Sequence, residues 1–190
     1  MEELKKRILE EGQALDGGVL IVDTFLNHQI DPILSEEMGS EIASRYQTEG
    51  VTKVLTVEAS GIAVALVVAR VLGVPLVFAK KAKRLNQPGE VYTAEIYSFT
   101  KQQSTLITVS KKFISETDTV LIVDDFLAHG EALRGLHKIS IDSGARVAGV
   151  GIAIEKAFQG GGEKLRAEGL RIESLVRISS MSQNQIEFID

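Results

Sequence analysis

The run Val120-Leu121-Ile122-Val123-Asp124-Asp125 constrains this chain more than any other six residues. Four consecutive apolar residues read as a strand, Thr119–Val123, buried on both faces, as in parallel sheets flanked by helices. It continues into Phe126-Leu127-Ala128-His129-Gly130-Glu131-Ala132, a short loop whose glycine opens a helix-like stretch. The strand thus brings two carboxylates to the carboxyl edge of an open α/β sheet, where such sheets bind ligands. The loop offers backbone N–H groups at a helix N-terminus, which suits a phosphate. Acids and a phosphate repel one another unless they hold different parts of one molecule. A sugar phosphate meets that condition, with hydroxyls or a magnesium ion near the acids and phosphate on the amides. The same residues also suit a buried strand ending in two solvated aspartates, one of them capping a helix.

The rest of the chain agrees with an α/β layout. Helices are expected at Glu2–Ala14, with Leu4, Ile8 and Leu9 on one face, and at Pro32–Tyr46, where Pro32 suits the first turn. A short strand is expected at Val19–Val22. Then follow strand Lys53–Val57, helix Ser60–Leu72, strand Pro75–Ala79, helix Glu131–Asp142 and strand Arg146–Ile154. This alternation implies a mostly parallel sheet with helices on its faces. The pattern changes between Lys80 and Lys111. The basic, turn-rich Lys80-Lys81-Ala82-Lys83-Arg84-Leu85-Asn86-Gln87-Pro88-Gly89 precedes alternation at Val91–Phe99 and Thr105–Val109, which reads as a hairpin.

With 190 residues and 44% hydrophobic content, the chain fits one domain with one good core. A net charge of -5 gives no basic footprint for nucleic acid. The absence of cysteine excludes disulfides and thiolate metal sites and fits a reducing compartment. Neither a signal core nor a membrane span is expected, because Arg70, Gly73 and Pro75 interrupt the greasiest stretch, Gly61 to Ala79. His28 and His129 have no spaced metal-binding partners, so no resident metal site is expected. A cytoplasmic location is expected.

The signature run resembles the 5-phosphoribosyl 1-pyrophosphate motif of type I phosphoribosyltransferases, where two acids precede Ala-Thr-Gly-Gly-Thr. Here Ala128-His129-Gly130-Glu131-Ala132 stands in that place, with His129 and Ala132 replacing the threonines and the backbone amides kept. Thr56-Val57-Glu58-Ala59-Ser60-Gly61 resembles the family's pyrophosphate loop, with Glu58 to Gly61 at the pyrophosphate and the Ser60 and Gly61 amides at a helix start. The segment Lys80 to Val109 resembles the catalytic loop of the adenine-phosphoribosyltransferase-like branch, with Lys80 and Lys81 meeting pyrophosphate as point charges. Spacing alone does not pick a catalytic acid or base from Glu90, Tyr92 and Glu95. The third piece, Ile152 to Leu165, resembles the strand end and glycine turn beside the family's base pocket. There Lys156 and Phe158 are candidate purine contacts. An ammonium has only donors, so Lys156 suits a 6-oxo acceptor and opposes a 6-amino group.

The segment Leu15 to Asp31 is closest to the xanthine-using bacterial members. That resemblance places Leu20 and Asn27 with Lys156 around the purine, the Asn27 amide being able to donate to a 2-oxo group. It implies a type I phosphoribosyltransferase fold over residues 1–190, a hood from about 1–35 and 155–190, and a flexible loop over about 80–110. The implied reaction joins xanthine to 5-phosphoribosyl 1-pyrophosphate in purine salvage, giving xanthosine monophosphate and pyrophosphate. Asp124 and Asp125 would be the catalytic acids, Ala128 to Ala132 the sugar-phosphate seat, and Mg²⁺ would arrive mainly with the substrate. A homodimer is implied. A guanine, hypoxanthine or adenine transferase is the nearer alternative, and a non-catalytic regulator that senses the same sugar donor is the other.

Overall fold

The computed structural model describes residues 1–82, 90–98, 103–183 and 185–189. Helix α1 (Glu2–Glu11) leads into a small hairpin, β1 (Gln13–Leu15) and β2 (Val19–Ile21), and a π-helical turn at Asp23–Asn27. Next come α2 (Pro32–Arg45), β3 (Lys53–Val57), α3 (Gly61–Leu72) and β4 (Leu76–Ala82). The hairpin β5 (Val91–Ser98) and β6 (Gln103–Ser110) precedes β7 (Thr119–Leu127), α4 (Glu131–Asp142) and β8 (Arg146–Lys156). A 3-10 turn at Ala157–Gln159, helix α5 (Gly161–Ala167), β9 (Ile172–Ser182) and β10 (Gln185–Ile189) complete the described elements.

Eight strands form one sheet in the order β10-β9-β8-β7-β3-β4-β6-β5. The five from β9 to β4 are mutually parallel, and β10, β6 and β5 add antiparallel edges. The β5–β6 hairpin therefore extends the main sheet through Lys80↔Thr108 and Lys81↔Ile107. Residues 83–89, the basic approach with Pro88-Gly89, and the segment 99–102 lie outside the described residues.

The alternation of β7 explains its unbroken apolar run. Leu121 and Val123 enter a core shared with α1, α2 and α3, while Val120 and Ile122 enter a second core with α4 and the β5–β6 hairpin. Each such burial contributes on the order of 1.5–3 kcal/mol. Helix α2 starts as expected, with Pro32 in its first turn and the Asp31 carboxylate accepting from the amides of Ile33 (2.9 Å) and Leu34 (3.1 Å). Arg7 donates to the other Asp31 oxygen at 2.8 Å and ties α1 to that cap.

Several boundaries differ from the sequence reading. Helix α1 stops at Glu11 rather than Ala14, because Gln13–Leu15 pair with Val19–Ile21 around Gly17 and Gly18, both at positive φ. Leu9 is 58% exposed while Leu4 and Ile8 are buried, since a four-residue spacing puts those two on one face and turns Leu9 away. Strands β4, β7 and β8 each outrun their expected ends, β4 to Ala82, β7 to Leu127 and β8 to Lys156. No described helix is long and apolar enough to cross a membrane.

Tyr46, fully buried at the end of α2, donates from its hydroxyl to the Val150 carbonyl at 2.9 Å. The approach requires Gly149, where a side chain would strike the ring. Burial pushes the Tyr46 hydroxyl up to about 12 from the ordinary 10.0. The raised value favours the protonated folded state, so this stabilisation is complete below pH 10 and is lost as pH rises through about 12. Tyr46→Phe is expected to lower unfolding free energy by about 1 kcal/mol at pH 7. Urea titrations at pH 7 and at alkaline pH check both points, the substitution removing this contribution to the alkaline loss.

Candidate functional site

The site forms where β7 parts from one neighbour. Pairing with β3 ends at Leu55↔Ile122, whereas pairing with β8 continues to Leu127↔Glu155. From β3 the chain passes to β4 on one side, and β7 and β8 lie on the other, so the crevice is a topological switch point. Asp124 and Asp125 sit inside the extended β7 rather than past its end, because β8 supplies their partners. Each is only 5% exposed, which rules out solvated aspartates.

The Asp124 carboxylate accepts from the Asp125 amide at 3.1 Å. A side chain at Gly61 would strike both Asp124 Oδ1 and Thr56 Oγ1, so glycine lets α3 begin against the acid. The Thr56 hydroxyl is itself buried without a hydrogen-bond partner. Burial, with Asp125 alongside, pushes the Asp124 carboxyl well above the usual carboxylate range, while Lys81 pulls it back. The loop after β3 closes the near side. Glu58 donates its amide to Ala79 O at 3.1 Å, and its carboxylate accepts from the Lys81 amide at 2.6 Å. The Glu58–Ala59 peptide is cis. Ser60 occupies the cap position of α3 without a side-chain capping bond. Lys80 and Lys81 lie within β4 rather than at its exit. Lys81 shares a cavity of about 600 Å³ with Glu95 and with 103–106 of β6.

Across the crevice, Ala128, His129, Gly130, Glu131 and Ala132 line a cavity of about 170 Å³ with Tyr97 and Phe126. Gly130 at φ +88° turns the chain into α4, whose first amides face this loop. That arrangement can seat an anion.

Lys156, at the end of β8, donates to the Gly18 carbonyl at 2.8 Å, and its ammonium lies 5.3 Å from the centre of the Phe126 ring. Burial pushes the Lys156 ammonium down. Phe126 thus touches both the lysine and the cavity at the start of α4. The adjoining Glu155, 1% exposed, points into a separate network, with Arg166 at 2.7 Å through both oxygens, Ser174 at 2.6 Å and Arg177 at 3.2 Å. Burial alone would raise its carboxyl, but these partners hold it below the usual range. The network fixes the strand end that presents Lys156. Leu20 is buried in the core with Leu4 and Ile8, and Asn27 ends the π-helical turn with its side chain exposed.

Phe126, Tyr97 and the Gly18 carbonyl also stand at the site, although the motifs do not single them out. Phe126 stands inside the signature run, where an aromatic residue beside two acids was the available signal. The other two carry no local signal, since strand register and turn packing alone place them.

Because the Asp124 carboxyl is raised in the folded state, its stabilisation is present below the ordinary carboxylate range and is lost as pH rises. Asp124→Asn is therefore expected to unfold at higher urea than the unaltered chain at pH 7, by about 1 kcal/mol or more. The gap closes at low pH, which paired urea titrations read directly.

The phosphoribosyl transferase domain model matches residues 31–163. Xanthine phosphoribosyltransferase from Heliobacterium modesticaldum is 60% identical over 99% of this chain and 100% of its own length. The Bacillus cereus (strain AH187) xanthine phosphoribosyltransferase is 51% identical over 100% of this chain and 96% of its own. Among solved structures, the adenine phosphoribosyltransferase of Giardia lamblia, complexed with 9-deazaadenine, matches the fold with a TM-score of 0.76 at 22% identity, covering 92% of this chain and 97% of that one. The parted strand, the buried acid pair and the amide-lined loop therefore belong to a known architecture, and the chain is a member of the phosphoribosyltransferase family, among its bacterial xanthine phosphoribosyltransferases.

Proposed function

We propose that this chain transfers the 5-phosphoribosyl group from 5-phosphoribosyl 1-pyrophosphate to xanthine, giving xanthosine monophosphate and pyrophosphate. The observation that carries the reading is full-length similarity to xanthine phosphoribosyltransferases, joined to a lysine beside the crevice that can only donate. In the reaction a base nitrogen forms a bond to the anomeric carbon as the bond to pyrophosphate oxygen breaks, and the nitrogen gives up its proton. The sugar passes through a cationic, oxocarbenium-like state.

In this reading, Asp124 and Asp125 hold the ribose hydroxyls, and their field favours the developing cation. The amides of Ala128 to Ala132 seat the 5′-phosphate. Glu58, Ala59, Ser60 and Gly61, with Lys80 and Lys81, hold the leaving pyrophosphate. Leu20, Asn27 and Lys156 line the base, and the N-terminal and C-terminal segments cover it. Most of the rate then comes from positioning and charge stabilisation.

Magnesium fits this donor set in one way. No cluster of three or more ligating side chains occurs among the described residues, but two buried carboxylates with little opposing positive charge suit an oxygen-seeking cation. Asp124 and Asp125 would hold it with the diphosphate, and bound there it would neutralise phosphate charge. The family resemblance supports a cytoplasmic homodimer, and Leu66 and Val71 of α3 expose apolar surface. Sedimentation at micromolar concentration should give twice the chain mass, and a single-chain mass overturns the dimer.

Pyrophosphate release with xanthine, guanine, hypoxanthine and adenine in turn tests the reaction. Xanthine should lead, and Lys156→Ala should raise the KM for xanthine about tenfold or more while leaving the KM for the sugar donor unchanged. Donor binding without turnover of any base would instead favour a sensing role.

A further inference from the structure

The hydrogen bond from Lys156 to Gly18 joins a cation to a turn that the reaction, as described, does not use. Gly18 sits at φ +78° at the tip of the β1–β2 hairpin. Its α-carbon is packed so closely that a methyl group there would lie 2.8 Å from Gln159 Nε2 and 3.3 Å from the Phe158 ring. The neighbouring Gly17, at φ +80°, has nothing within 4 Å of the same added atom. The carbonyl of Gly18 is thus set by contact with the 3-10 turn that directly follows Lys156. One docked surface fixes donor and acceptor together.

We propose that the Gly18 backbone carbonyl is a second base-selecting atom, which with Lys156 reads a purine carrying an oxo group beside a ring N–H. This rests on the phosphoribosyltransferase reading above. An ammonium has three protons and a carbonyl oxygen two lone pairs, so their mutual bond at 2.8 Å leaves each with capacity for a ligand. Lys156 donates to the 6-oxo oxygen and Gly18 accepts from the N1–H beside it. Adenine reverses both groups, presenting an amino donor to the ammonium and a bare ring nitrogen to the carbonyl. Both contacts then fail, and two half-buried polar groups that keep only their mutual bond face a base with no complementary atom. No described carboxylate pairs with Lys156, so the carbonyl and the Phe126 ring are what orient it.

Gly18→Ala and Gly17→Ala form the test, since both add a methyl group at positive φ but only the first pushes the turn off Phe158 and Gln159. Steady-state kinetics with xanthine and adenine, at saturating sugar donor, should show the xanthine KM raised about tenfold in Gly18→Ala. The preference for xanthine over adenine should narrow, the donor KM should stay put, and Gly17→Ala should match the unaltered chain. Equal effects of the two substitutions, or a Gly18→Ala change that raises both substrates' KM alike, overturn the assignment. Should Gly18→Ala fail to fold, binding of 1-methylxanthine to the unaltered protein decides. It keeps the 6-oxo group and loses the N1–H, so binding about tenfold weaker than xanthine is expected, and equal binding overturns the proposal. An unaltered protein that turns over no 6-oxopurine overturns the functional reading and this inference together, whereas turnover with an unmoved base KM in Gly18→Ala overturns this inference alone.

Discussion

Strand β7 lies between β3 and β8, and its apolar residues feed two cores at once, so its place at the centre of the sheet is fixed from both faces. Everything chemical in the molecule depends on the fact that it is longer than β3. Past Ile122 it keeps one neighbour and loses the other, and the buried acids occur in that unpaired margin. A backbone held by β8 alone can carry carboxylates into a crevice without losing its strand geometry. The apolar run thus anchors the strand, and the unequal lengths of its neighbours open the site.

Two further features follow from the same margin. The start of α3 approaches so near Asp124 that only glycine fits at position 61, which brings helix amides and acid pair to one wall. On the β8 side, the strand reaches Lys156, and Glu155 is locked by Arg166, Arg177 and Ser174. Neighbouring residues on one strand point to opposite faces. One therefore anchors the strand end while the other faces the N-terminal hairpin. Burying a carboxylate with several partners costs stability unless the geometry is well satisfied, and here both of its oxygens are engaged.

The acid pair shows the opposite arrangement. Asp124 and Asp125 are buried with little compensation, and the carboxyl of Asp124 is raised accordingly. Groups kept this way destabilise the folded chain and are a recurrent mark of sites that await a ligand of opposite charge. The contrast between Glu155 and Asp124 separates a compensated carboxylate from an uncompensated one within one sheet, by the partners each possesses rather than by depth.

The sequence by itself determined the sheet-and-helix order, the doubly buried strand, the proline-led start of α2 and the two glycine-bearing turns that open α3 and α4, because these rest on short-range periodicity and turn chemistry. Strand Lys53–Val57 and helix Glu131–Asp142 were legible to the residue. Tertiary structure alone decided where strands stopped, since a strand extends as far as its neighbour offers hydrogen bonds. That is why Asp124, Asp125, Lys80 and Lys81 lie inside strands that their own residues seemed to end before. It also decided the partners of Lys156, because Gly18 lies 138 positions away in sequence and meets the lysine only when the N-terminal hairpin docks on the turn after β8. Local sequence encodes which groups a site can own. Long-range packing sets which of them face one another.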